Sequence, residues 1–127
     1  MSPEDLIGCA LAAREHAYSP YSRYAVGAAV EAANGQAYGG CNVENASYGL
    51  TMCAERMAAF AAVCAGQCSG WRAVAVVTPD GSPPCGACRQ VLAEFAGDDL
   101  MLYLARPDGT YAVCTLGDLF PHPFRLT

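Results

Sequence analysis

The stretch WRAVAVVT, Trp71 to Thr78, carries a single charge, at Arg72, and from Ala73 to Val77 runs wholly as alanine and valine. A continuous apolar run of this length is a strand covered on both faces, hence the middle of a sheet with helices on either side. The flanking sequence supplies those helices. Downstream, Pro79 to Pro84 is a loop, and CGACRQVLAEFAG predicts a helix from about Gly86 to Ala96, ended by Gly97. Leu100 to Ala105 reads as a strand, Pro107-Asp108-Gly109 as a turn and Tyr111 to Thr115 as a last strand. A helical turn near Gly117 to Phe120 precedes a Pro-rich tail.

Upstream, a helix containing Cys53 runs to about Ala65 and stops before Gly66. Tyr24 to Ala32 and Ala37 to Val43 flank Asn34-Gly35, a strong hairpin signal. Ser2-Pro3-Glu4-Asp5 is a helix start, with a capping serine, proline at the first helical position and two acids in the first turn. Leu6, Ala10, Ala13 and Ala17 follow at helical spacing, which extends this helix to about Tyr18. Ser19-Pro20 closes it. The order αββαβαββ with a short last helix predicts one α/β domain over residues 1–127, built as a mixed sheet with helices on both faces.

Seven arginines, no lysine and twelve acidic residues give a formal charge of −5. The arginines are spread along the chain, so a long polyanion finds no basic stripe and a nucleic-acid partner is disfavoured. The start MSPEDLIG has no apolar signal region, and no run is long enough to span a bilayer, so the expected location is the cytoplasm. There, eight cysteines read as thiols and not as a disulfide framework. Cys9, Cys41, Cys64, Cys68 and Cys114 are expected to be small buried hydrophobes. His16 and His122 are expected at the surface.

Cys53 and Glu55 sit two residues apart at the opening of an apolar helix (TMCAERMAAF), where neither helps packing. Cys85 and Cys88 form a C-x-x-C pair at the start of another. Alone, such a pair is a redox dithiol, half a zinc site or chance. Each helix start offers free N–H groups and partial positive charge, which favour thiolate. Three thiolates from two neighbouring helix starts suit zinc with its fourth position left for water, the pattern of a catalytic site. Glu55 is then free to handle protons. Arg56 is a candidate donor to a ligand sulfur.

C-A-E followed by P-C-G-A-C-R-Q resembles the zinc-dependent cytidine deaminases, a class whose signature and chemistry are well described. The likeness extends over YSRYAVGAAV (Tyr21 to Val30), GCNVENASYG (Gly40 to Gly49) and LFPHPF (Leu119 to Phe124), and so over essentially the whole chain. It implies a three-layer α-β-α fold with a mixed five-stranded sheet and one zinc per chain on Cys53, Cys85 and Cys88. It further implies pyrimidine salvage by hydrolysis of free cytidine and 2′-deoxycytidine to uridine and 2′-deoxyuridine. A zinc-activated hydroxide would attack C4 while Glu55 moves protons. Asn42 and Glu44 match ribose contacts. The Ala54 N–H and the Pro83 carbonyl match contacts to the base edge. Tyr24 falls where relatives carry phenylalanine against the base, and its added hydroxyl needs a partner. Phe124 matches an aromatic that reaches a neighbour's site in the homotetrameric branch.

Other readings stay beside this one. A deaminase of nucleic-acid cytosines would want a basic channel. A deaminase of modified nucleosides shares the metal motifs but not NVENASYG. A non-catalytic zinc module would close its site with Cys41 or Cys64, and a thiol oxidoreductase would leave Cys53-Ala-Glu55 unexplained. Arg89 and Gln90 receive no role from sequence.

Overall fold

Ala73–Val77 forms the central strand of the computed structural model, which describes residues 1–126, and all five of its residues are buried. In chain order the elements are α1 (Pro3–Arg14), β1 (Gly27–Glu31), β2 (Ala37–Cys41), α2 (Ala54–Cys64), β3 (Ala73–Val77), α3 (Gly86–Phe95), β4 (Met101–Ala105), β5 (Tyr111–Thr115) and the short α4 (Leu116–Leu119). The sheet order is β2-β1-β3-β4-β5. Only β3 and β4 pair in parallel, and α3 connects them. The other neighbours are antiparallel. The expected mixed five-stranded sheet is therefore present.

Alternation along β3 divides the core into two layers, as side chains on a strand must. Val74 and Val76 pack with Ala54, Ala58, Ala59 and Ala62 of α2 and Leu92 and Ala93 of α3. Ala73, Ala75 and Val77 face the other way, onto Leu6, Ile7 and Ala10 of α1. Small residues let the helices sit close to the sheet. At Gly40 an added Cβ would lie 2.4 Å from the Ala58 nitrogen of α2, so that backbone contact admits no side chain. The hairpin turns at Gly35 with φ +81°, the left-handed conformation that glycine adopts without penalty.

Helix α1 begins as its sequence dictates, with Ser2 and Asp5 closing a reciprocal capping box. It ends at Arg14, four residues short of the expected Tyr18. The cause is a distant partner. The Tyr18 N–H donates to the Asn42 carbonyl and the Tyr18 carbonyl accepts from the Glu44 N–H, each at 2.9 Å. Tyr18 is thereby drawn into a bridge with Val43.

The first strand also starts later than expected, at Gly27 and not Tyr24. Here the buried Asn42 side chain replaces strand pairing: Oδ1 accepts from the Val26 N–H at 3.0 Å, and Nδ2 donates to the Tyr24 carbonyl at 2.7 Å. Cys64 and Cys68 are exposed, against the expectation of burial, while Cys9, Cys41 and Cys114 are partly buried. His16 and His122 are exposed as expected.

The C-terminal tail folds back over α3. Arg89 bonds the carbonyls of Pro84 at 2.8 Å and Leu119 at 2.7 Å. Gln90 donates to the Phe124 carbonyl at 2.9 Å, and Arg125 donates to the carbonyls of Ala93 and Ala96 near the end of α3. Arg89 and Gln90, silent in sequence, thus anchor the tail.

Candidate metal and nucleoside site

Cys53 is the N-cap of α2 and Cys85 the N-cap of α3, both in extended conformation and neither giving its side chain to the helix as a cap. Their sulfurs are directed instead to a common point with Cys88, from the first turn of α3. All three Sγ atoms lie within 4.8 Å of one another. Cys85 and Cys88 Sγ are 3.4 Å apart. Tetrahedral zinc with Zn–S bonds of about 2.3 Å sets its sulfur ligands about 3.8 Å apart, so this spacing suits the ion.

The electrostatics point the same way. The Cys53 thiol is held down to about 5, chiefly by hydrogen bonding with Cys88 and then by Arg56. Cys88 is pushed upward by that same bond and by burial. Without a cation, one sulfur ionises only while its neighbour keeps a proton. A divalent ion removes that conflict. Arg56 Nη2 donates to Cys53 Sγ at 3.2 Å, as expected of a residue supporting a ligand. Its Nε is buried without a hydrogen-bond partner. Among the described residues no fourth metal-binding side chain joins the cluster, so neither Cys41 nor Cys64 closes it.

A cleft of about 250 Å³ opens beside the sulfurs. Cys53, Ala54, Glu55 and Cys85 line it together with Tyr24, Asn42, Glu44 and Pro83, bringing the expected site residues into one place. Glu55 is 7% exposed, and burial, with the neighbouring Cys53, pushes its carboxyl above the ordinary range. Glu44 accepts from the Tyr21 N–H at 2.9 Å and the Ser22 N–H at 3.2 Å, and from the Ser22 hydroxyl. Those bonds, led by the Ser22 hydroxyl, hold its carboxyl below the usual range. Three expected residues do not line the cleft: Cys88 and Arg56 adjoin it through the sulfur cluster, whereas Phe124 lies on the tail with 69% of it exposed.

Sequence reasoning missed Ser22, Thr51 and Thr78 in the lining, and Asp80 behind it. Tyr24 Oη donates to Asp80 Oδ1 at 2.6 Å, which supplies the partner that its hydroxyl requires. The signal for Ser22 was present in YSRYAVGAAV, inside the quoted resemblance. For Asp80 only its place in the loop before Cys85 hinted at a role.

Comparison with known proteins agrees with this geometry. A family model described as the cytidine and deoxycytidylate deaminase zinc-binding region matches residues 1–104. The chain is 47% identical over 126 residues to the cytidine deaminase of Sporosarcina psychrophila, covering 98% of this chain and 92% of that protein. It is 46% identical over 127 residues to the Mycobacterium tuberculosis cytidine deaminase, covering 95% and 88%. The crystal structure of cytidine deaminase from Burkholderia pseudomallei superposes with a TM-score of 0.91 at 48% identity, over 98% of this chain and 100% of that one. With an open three-sulfur centre, a buried carboxylate beside it and a match reaching from the first residue to β4, the chain belongs to the cytidine and deoxycytidylate deaminase zinc-binding family.

Proposed function

We propose that the protein is a zinc-dependent cytidine deaminase that converts free cytidine and 2′-deoxycytidine to uridine and 2′-deoxyuridine with release of ammonia. The observation that carries this reading is Glu55, a buried carboxyl lining the same cleft as Cys53 and Cys85 of an open metal cluster. When bound there, zinc supplies Lewis acidity that makes water nucleophilic near neutral pH. Glu55 takes one proton of the attacking water and passes it to N3 of the cytosine ring. It then takes the remaining proton from the new C4 hydroxyl and delivers it to the amino group, which leaves as ammonia while C4–O becomes the carbonyl. A carboxyl raised above its ordinary range is the stronger base toward the water's proton, which suits that role.

The Ala54 N–H at the start of α2 and the Pro83 carbonyl orient the base edge, and the Tyr24 ring packs against the base. Asn42 and Glu44 take the ribose hydroxyls with the hydrogen-bonding capacity left after their internal bonds. Arg56 holds the Cys53 sulfur and moderates the charge of three thiolates.

The lining also supports a nucleoside over a nucleotide. It contains Glu44 and Glu55 and, among the described residues, no arginine, lysine or histidine to meet a phosphate. A 5′-phosphate beside the Glu44 carboxylate would be repelled. Cytidine and 2′-deoxycytidine are expected to turn over with ammonia release, and cytidine 5′-monophosphate with kcat/KM lower by roughly 100-fold or more. Equal or faster turnover of the monophosphate would overturn the assignment of substrate class.

The same reading extends to a cytoplasmic, single-domain (residues 1–127, of which Thr127 lies outside the described part) homotetramer in pyrimidine salvage. Support comes from exposed apolar side chains: Tyr21 at 53%, Tyr48 at 78%, Leu50 at 68% and Phe124 at 69% exposure. Surfaces of this kind are covered by partners more often than left bare. The Phe124 backbone is fixed by Gln90 while its ring faces outward, as a residue completing a neighbour's site requires. Light scattering is expected to give the mass of four chains. A monomer at micromolar concentration would remove Phe124 from the site.

A further inference from the structure

Two separate segments build much of the cleft: residues 22–26, which lead into β1, and residues 78–85, which lead from β3 into α3. Thr78, Ser82 and Pro83 line the cleft from the second segment, and Ser22, Tyr24 and Val26 from the first. Asp80 does not line it. Its Oδ1 nevertheless gathers both segments, accepting from Tyr24 Oη at 2.6 Å, Ser82 Oγ at 2.7 Å, and Ser82 N–H and Thr78 Oγ1 at 3.2 Å each. The Tyr24 hydroxyl reaches across 56 residues of sequence to make its bond. Thr78 Oγ1 also accepts from the Ser82 N–H at 2.9 Å, so the short loop is closed on itself as well as tied to Tyr24.

We propose that Asp80 is a positioning residue which, through Tyr24 Oη, fixes the separation of these two walls and so sets affinity for the pyrimidine nucleoside without touching it. This rests on the nucleoside reading of the cleft. Asp80 is exposed, so water can replace its bond to Tyr24 and the fold does not depend on it. The geometry does depend on it. A tyrosine ring free to turn, and a Ser82-Pro83 loop free to drift, lose the aligned surfaces that a planar base needs. Because the base meets those surfaces both before and during reaction, the loss falls on uniform binding: KM rises and kcat stays.

The test compares four zinc-loaded variants with wild type: Tyr24→Phe, Asp80→Ala, their double mutant, and Asp80→Asn. Each of the first two is expected to raise KM for cytidine by about threefold to tenfold, with kcat within about twofold. The double mutant should be no weaker than Asp80→Ala alone, since the Tyr24 hydroxyl acts only through its bond to Asp80. Asp80→Asn keeps an Oδ1 acceptor and should stay near wild type. Multiplying KM effects in the double mutant, or wild-type KM in either single one, would overturn the proposal.

Amide exchange in the ligand-free protein gives a reading independent of turnover. Tyr24→Phe and Asp80→Ala should each speed exchange at residues 24–26 and 80–82, and unchanged exchange in both counts against the clamp. If exchange responds as expected but wild type turns over no pyrimidine nucleoside, the clamp holds and the deaminase reading is what fails.

Discussion

Glu55→Gln is expected to lower kcat for cytidine by about 10²- to 10⁴-fold, the range over which a positioned general acid–base residue acts. Zinc content and the unfolding midpoint are expected to stay near wild type. The reasons are local. Glu55 is buried, and burial already biases its carboxyl toward the neutral form. A glutamine of the same shape fills the space at the start of α2 without stranding a charge. The substitution leaves all three sulfurs in place, because Glu55 is not one of the clustered metal-binding groups. What is lost is the ability to carry a proton between the attacking water, N3 and the amino group. Loss of the cytosine absorbance band measures turnover, and metal analysis on the same sample measures zinc. A variant within tenfold of wild type would remove Glu55 from the chemistry.

The second large effect concerns the metal. Cys88 is fully buried, and its sulfur lies 3.4 Å from that of Cys85. Cys88→Ala leaves two sulfurs, which cannot complete a three-ligand zinc site. Zinc is expected to fall well below one per chain after dialysis against a chelator, and turnover to fall below detection.

Arg56→Ala is the graded counterpart. It keeps the three sulfurs but removes the donor 3.2 Å from Cys53, so zinc affinity should drop by about 10- to 100-fold. The fold should tolerate the change, because truncating Arg56 also removes an Nε that is buried without a partner. Stoichiometric zinc in the dialysed Cys88→Ala protein would show that the cluster is not the metal site. Unchanged zinc affinity and kinetics in Arg56→Ala would show that its contact with Cys53 is incidental.

Local chemistry made some features legible in the sequence. The central strand was visible because WRAVAVVT leaves no polar face for solvent, and β5 fell on the expected residues, Tyr111 to Thr115. The start of α3 at Gly86 was marked by Pro83, Pro84 and the thiol before it, and that of α2 by Cys53. The three-sulfur cluster followed from those starts.

Features decided by distant partners were not legible. The end of α1 depends on the backbone near Asn42 capturing Tyr18, and the start of β1 depends on the Asn42 amide taking the place of a strand. Nothing near Tyr18 or Tyr24 in sequence announces either event. Asp80 escaped for the same reason, since its tie to Tyr24 joins loops 56 residues apart. Phe124 was recognisable as an aromatic, but its ring lies exposed on the tail and outside the cleft.

Asn42 and Glu44 are hydrogen-bonded to the protein's own backbone. On the proposed placement, the sugar end of the cleft is rigid before substrate arrives. The loss of rotamer freedom that a contact with a hydroxyl normally imposes is incurred once, as the chain folds, and is not repeated in each turnover. Ligand discrimination at that end is then a matter of fit to a fixed template. A sugar that presents its hydroxyls differently meets groups that cannot swing to follow it.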